Sequence, residues 1–257
     1  MKGKRYSKDK KHYKKIIISI IFIIFVSIMI VTGIKIFVWT KENKKTNDII
    51  DDIKNTIYVD ENIENKDKYN VNFEELKQTN SDTIAWIKIN GTNIEYPIVK
   101  TTNNDYYMTH TFDKSYNSAG WVFMDYENRF NGTDNNMVVY AHNRRDGTLF
   151  GTLKNILTEE WQSNEENYII PFITENEKSE YQVFSVYKVE NEDYYITTNF
   201  RTDNEYQKFI DKIKSRSVKD FETNVTIEDS ILTLSTCADN NKYRVVLHAK
   251  KVKWLEQ

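Results

Sequence analysis

Ile231-Leu-Thr-Leu-Ser-Thr-Cys237, followed at Tyr243-Arg-Val-Val-Leu-His-Ala249, is the stretch from which the rest of the chain is best read. Residues 231–236 are apolar or β-branched and read as a strand. Cys237 falls where that strand gives way to Ala238-Asp-Asn-Asn-Lys242, a polar run with turn chemistry. Arg244 then opens a second strand, through Val245 to Ala249. A thiol ending one strand and a guanidinium starting the next can face each other across a hairpin-like connection. Most free cysteines are small buried hydrophobes. A reactive one needs electropositive, partly open surroundings. On this stretch alone both readings stand.

The chain has 257 residues and a formal net charge of −2, which calls for no nucleic-acid partner. Its charge is unevenly placed. Residues 1–15 are almost all basic or polar and run straight into an apolar stretch, residues 16–34, continued past Lys35 to Trp39. Such a run is long enough to cross a bilayer core of ~30 Å. Lys35 can snorkel and Trp39 suits an interface. A cleaved signal peptide would have a shorter apolar region and a small-residue cleavage site, and residues 38–42 offer none. The expectation is a cytoplasmic tail (1–15), a transmembrane signal-anchor (16–39), a membrane-proximal linker or helix (40–70) and an extracellular catalytic domain (71–257), oriented by the positive-inside tendency. Cys237 is the only cysteine, so no internal disulfide can form.

Beyond residue 70 the pattern is of many short strands with a few helices. Residues 71–78 read as a short helix. Strands follow at 83–89 and 93–99, joined by Asn90-Gly91, a hairpin signal, with Pro97 hinting at an edge or a strand start. Residues 101–108 read as a loop entering a helical turn. Further strands are expected at 119–125, 136–142, 168–173, 181–189 and 225–227, with helices at 150–161 and 203–214. The fold class is mainly β (α+β), a closed or nearly closed barrel decorated by helices.

A cysteine nucleophile needs a base or an imidazolium beside it. Of the four histidines, His12 lies in the tail, His110 in a Tyr-rich loop, and His248 inside an apolar strand, where packing explains it. His142 ends a strand and opens a polar loop, as Cys237 does, so the two can meet on one rim of a sheet. Arg244 cannot act as a base, because a guanidinium keeps its proton. It can hold a carbonyl oxygen or a developing oxyanion. One cysteine and scattered histidines give no usual metal-ligand spacing.

Thr233-Leu-Ser-Thr-Cys237 with its downstream Tyr243-Arg-Val-Val246 resembles the active-site signature of sortases, and Tyr140-Ala-His142-Asn resembles their histidine motif. Gly120-Trp-Val-Phe-Met-Asp125, Thr102-Asn-Asn-Asp-Tyr106, Val183-Phe-Ser-Val-Tyr187-Lys and the helix at 203–214 resemble class B sortases in particular. The likeness spans roughly residues 70–253. It implies an eight-stranded sortase-type β-barrel with amino-terminal helices and an extra helix between strands six and seven. It also implies a membrane-anchored cysteine transpeptidase of Gram-positive bacteria. Such an enzyme cleaves secreted proteins bearing a carboxyl-terminal sorting pentapeptide after Thr and passes the acyl group to a peptidoglycan precursor amine. By the resemblance Cys237 is the nucleophile, His142 the general acid and base, and Arg244 the substrate and oxyanion holder. Asn103, Tyr107, Tyr187, Ser235 and Thr236 match groove-lining positions. No cofactor or metal, calcium included, is implied. Ala238 departs from members that carry an acidic residue after the cysteine, with Asp239 next in line.

Two other readings use the same residues. An extracellular cysteine hydrolase would share the Cys–His pair, although Cys237 ends a strand rather than opening a long helix. A non-enzymatic, membrane-tethered cell-wall binding module would use the abundant tyrosines, which at such positions are more often packing residues.

Overall fold

The structure is a computed structural model describing residues 3–63, 66–190, 192–238 and 242–252, with the side chains of 3–11, 66, 237 and 238 outside that description. The chain divides into two compact units, Met1–Asn47 and Asp48–Gln257. The first is helical throughout its described length, as part of α1 (Gly3–Lys54). Many of its apolar residues, Ile21, Phe22, Phe25 and Phe37 among them, are more than half exposed. Among the described residues this is the one helix long and apolar enough to cross a membrane. At ~1.5 Å per residue its uncharged, largely apolar stretch over residues 16–34 extends for about 29 Å.

In the second unit a small sheet pairs β1 (Ile57–Val59) with β2 (Tyr69–Val71), strands not expected from the sequence. Helix α2 (Phe73–Thr79) starts at Asn72, whose side chain accepts from Glu75 N at 3.2 Å and donates to the Glu75 carboxylate at 3.1 Å. That reciprocal cap satisfies an otherwise orphaned amide.

The barrel strands are β3 (Thr83–Ile89), β4 (Ile94–Val99), β5 (Phe123–Met124), β6 (Asn136–Tyr140), β7 (Ile169–Thr174), β8 (Lys178–Glu190), β9 (Ile231–Ala238) and β10 (Tyr243–Lys251). They close in the order β10-β8-β7-β3-β4-β5-β6-β9, with β10 pairing back onto β9. The eight-stranded barrel expected from the sequence is therefore present. Two pairings are parallel, β4 with β5 and β6 with β9; the others are antiparallel. Between β7 and the site loops lies a short α3 (Glu159–Gln162), and α4 (Asp203–Ser215) sits between the sixth and seventh barrel strands, as the resemblance implied.

Gly91 takes φ +70° in the β3–β4 turn, a conformation costly for residues with a Cβ. Pro97 pairs with Trp86 on one side, while β5 meets β4 only at Val99. A residue without an N–H is tolerated at such a position. Other boundaries differ from expectation. The strand expected at 119–125 shrinks to Phe123–Met124, because Gly120 bends at φ +63° and Trp121 N donates to the Tyr107 carbonyl. Residues 225–227 are not a strand: the Asp229 carboxylate accepts from both Thr226 N and its hydroxyl, closing a turn instead. Residues 150–161 form a 3-10 turn, Leu153–Leu157, and the short α3 rather than one helix.

Alternation along β9 and β10 divides their side chains between two cores. Leu232, Leu234, Val245, Leu247 and Ala249 join the main cluster. Ile231 and Val246 join Phe184 and Tyr187 against the apolar face of α4, formed by Tyr206, Phe209, Ile210 and Ile213. Each fully buried aliphatic side chain stabilises by roughly 1.5–3 kcal/mol. Packed on both faces, these two strands hold their ends, and hence the site, in fixed places.

Candidate active site

The site arises from strand register. In the parallel β6–β9 pair, Tyr140 lies opposite Ser235. One step further, beyond the end of β6, Thr236 Oγ1 donates to the Ala141 carbonyl at 2.7 Å, with the chain offset of 95 unchanged. The next residues along, His142 and Cys237, therefore leave that rim of the barrel at the same level. On the other edge of β9, the antiparallel register sets Arg244 opposite Cys237. Backbone pairing thus assembles the three residues that sequence reasoning singled out. The Cys237 side chain and Asp239 lie outside the described residues.

His142 is half-buried, and its ring is held by main chain: Nε2 donates to the Met108 carbonyl at 2.9 Å. A carbonyl only accepts, so this bond keeps the proton on Nε2 and leaves Nδ1 for exchange. The acceptor approaches because of Gly120. A Cβ there would stand 2.5 Å from the Tyr107 carbonyl and 3.1 Å from His142 Cδ2. The loop after His142 is braced by an Arg144–Asp146 ion pair at 2.7 Å. Burial pushes the Asp146 carboxyl up, but hydrogen bonds from Arg144 and Thr148 outweigh it and hold the pKa below the usual range.

His142, Arg244, Ser235 and Thr236 open onto one cavity of about 580 Å³, a size usual for ligand sites. Asn104, Asp105 and Met108 form one bank, and Glu192, Asp193, Tyr195 and Ile196 the other. Tyr195 and Ser235 hydroxyls meet at 3.0 Å, tying that second bank to β9. Arg244 Nη1 donates to the carbonyl of Tyr243 at 3.2 Å. The cavity lining thus includes the acidic residues Asp105, Glu192 and Asp193 together with Arg244.

Of the five expected groove residues, Ser235 and Thr236 line the cavity and three do not. Asn103 is exposed, and its Oδ1 accepts from the backbone N–H groups of Asp105 and Tyr106, shaping the loop while Asn104 faces the cleft. Tyr107 is buried, donating to Asp82 and accepting from Asn80, both at 2.8 Å. Tyr187 is buried under α4, with its hydroxyl 2.8 Å from His248 Nε2. For these two tyrosines large apolar area outweighs the pull of the rim.

His248 is a core residue, as its place in the strand suggested. It is fully buried, Nδ1 lies 2.8 Å from Thr233 Oγ1, and burial lowers its pKa to about 3. His110 stacks on Tyr106 with ring centroids 4.1 Å apart and does not reach the cavity. Sequence reasoning missed Asn104, Tyr140, Tyr195 and the Met108 carbonyl. Tyr140 stood within the quoted histidine motif. A backbone acceptor leaves no side-chain signal at all.

A family model described as Sortase domain matches residues 87–252. The chain is 37% identical over 184 residues to sortase B of Staphylococcus aureus, covering 70% of this chain and 75% of that protein. To sortase B of Listeria monocytogenes it is 31% identical over 244 residues, covering 90% and 94%. Among solved structures, the S. aureus sortase B–substrate complex superposes with a TM-score of 0.66 at 37% identity, covering 71% of this chain and 85% of that one.

Proposed function

The chain belongs to the class B sortases, which are cysteine transpeptidases, and from that premise we propose a membrane-anchored enzyme at the cell surface that cleaves a sorting pentapeptide after Thr. The acyl group then passes to a peptidoglycan amine. Residues 16–39 are the anchor, residues 1–15 stay in the cytoplasm, and the catalytic unit faces outward. The reading rests chiefly on one observation: strand register brings His142 level with Cys237 and sets Arg244 opposite it, and His142 and Arg244 line one cavity.

In this mechanism the Cys237 thiolate attacks the Thr carbonyl carbon and a C–S bond forms. Arg244 donates to the oxygen as negative charge develops there. Collapse of the tetrahedral intermediate breaks the C–N bond, and the leaving amine takes a proton from His142 Nδ1, leaving a thioester. An incoming amine returns a proton to Nδ1 as it attacks, a new amide forms and the thiolate departs. Nε2 stays committed to Met108 throughout, so the ring keeps its orientation. Ser235 and Thr236 line the path of the bound peptide. The S. aureus relative has been solved as a substrate complex, which supports a peptide in the equivalent cleft here.

The test uses the full chain in detergent with a panel of fluorogenic sorting peptides, with and without triglycine, beside Cys237→Ala. Thr–X cleavage that needs Cys237, with the amine captured in product, is the expected result. Cysteine-dependent cleavage with no amine captured, across several amines, would favour the hydrolase instead. Binding of cell-wall material that survives Cys237→Ala, without cleavage of any peptide, would favour a binding module.

A further inference from the structure

Gly120 leaves room for the Met108 carbonyl beside His142, and Tyr107, the residue before it, is anchored through its hydroxyl, but the start of the segment that carries them needs a tie of its own. Met108 ends the segment 101–108, which has no strand partner and is exposed at several positions, Asn103, Asp105 and Met108 included. A segment of that kind is ordinarily among the less stable parts of a fold. Yet it forms one bank of the cavity and orients the histidine.

Asp125 supplies the tie. It is a buried carboxylate just after β5, and its two oxygens are shared among three elements. Oδ2 accepts from Tyr140 Oη at 2.8 Å and from Asn104 Nδ2 at 3.0 Å. Oδ1 accepts from Glu127 N at 2.8 Å. Asn104 completes a closed loop, since its Oδ1 accepts from Tyr126 N at 3.0 Å. One carboxylate thus joins the segment 101–108 to the last residue of β6, two positions before His142. Bonds to an ionised acceptor are among the stronger ones a protein makes, and a shared buried acceptor makes a rigid node. Burial, then Asp125 itself, pushes the Tyr140 hydroxyl far above the usual tyrosine range, so it remains a donor.

We propose that Asp125 is a positioning residue for the reaction: by fastening Asn104 and Tyr140 to one carboxylate, it holds the Met108 carbonyl on His142 Nε2. The assignment rests on the transpeptidase reading for its kinetic consequence, though not for its structural one. Asp125 does not itself line the cavity, and it meets that lining only through Asn104 and Tyr140. It acts through the tautomer and orientation of His142.

The experiment uses the full chain in detergent, labelled with ¹⁵N-histidine, with the His142 signals assigned by their loss in His142→Gln. Long-range proton–nitrogen correlation reads the tautomer directly. The wild type is expected to carry the proton on Nε2. Asp125→Ala and Asn104→Ala are expected to move His142 towards mixed tautomers and to lower kcat roughly tenfold to a hundredfold, with a smaller change in KM. Asp125→Asn keeps one oxygen for Tyr140 and Asn104 while losing the charge and the bond from Glu127 N, so it should recover the Nε2 tautomer and part of kcat. Thermal unfolding of each variant gives the folded fraction. Wild-type His142 signals in folded Asp125→Ala would overturn the proposal, as would a kcat loss no greater than the loss of folded protein. If the wild type turns over no peptide, the transpeptidase reading fails, while the tautomer measurement still decides whether Asp125 positions His142.

Discussion

Thr236 donates its hydroxyl to the carbonyl of Ala141 at 2.7 Å, one residue short of Cys237 on β9 and one residue short of His142 beyond β6. The bond carries the parallel register of the two strands past the point where β6 ends. It is the last direct link between the two segments before the reacting residues. Thr236→Val keeps the shape and removes the donor, leaving the Ala141 carbonyl unsatisfied in a nearly buried place. The expected cost is about 1–2 kcal/mol of stability, with a fall in kcat larger than the rise in KM. Thr236→Ser should restore both. Urea unfolding and steady-state kinetics on the three proteins check it, and a Val variant as active as wild type would show that the strands hold the rim without this bond.

Gly120 faces a different constraint. Its φ of +63° and the 2.5 Å between an added Cβ and the Tyr107 carbonyl leave no room for a side chain. Gly120→Ala should cost roughly 1–3 kcal/mol and displace Met108 from His142. Loss of activity in protein that is still folded by circular dichroism is the expected signature.

Arg244 and lysine differ in more than length. A guanidinium presents a planar fork of donors, and an ammonium a compact point charge. Arg244→Lys should leave the barrel folded, because β10 is held by its pairing with both β8 and β9. It should lower kcat by about a hundredfold. Activity within a few-fold of wild type would remove Arg244 from oxyanion stabilisation.

His248 makes the fold sensitive to acid. Burial lowers its pKa to about 3, so the folded chain keeps it neutral while the unfolded chain binds a proton near pH 6.5. Between those values the unfolded state holds more protons, and stability falls as pH falls. From pH 7 to pH 5 this one group should remove about 2 kcal/mol. His248→Gln, which does not titrate, should flatten the urea-unfolding free energy over that interval by the same amount. An unchanged slope in the variant would assign the acid sensitivity to other groups.

Much of the fold was legible in residue pattern, and the misses have local causes. Alternation and turn chemistry located β3, β4, β7 to β10 and α4 because each buries a face that its own sequence displays. The strand at 119–125 came out too long because its apolar run, Gly120 to Met124, serves two purposes. Its first half turns beneath residues 107 and 108, and only Phe123 and Met124 enter the sheet. At the site, Ser235 and Thr236 were placed by their own strand. Tyr107 and Tyr187 were not, because a tyrosine in a strand or turn carries no mark of whether its hydroxyl finds a buried partner or water.

Sequence by itself determined the chemistry available: a single thiol, a histidine and an arginine, each at or near a strand end, and an apolar helix ahead of a strand-rich domain. These are properties of residue type and short-range periodicity, and they survive in any single stretch of the chain. Tertiary structure decided what no stretch contains. The equal level of His142 and Cys237 follows from a parallel pairing between strands 95 residues apart. The acceptor on His142 Nε2 is a backbone carbonyl 34 residues away. Its tie runs through a carboxylate shared between two further segments. Long-range register and main-chain hydrogen bonds depend on where the chain goes, and every residue carries the same carbonyl.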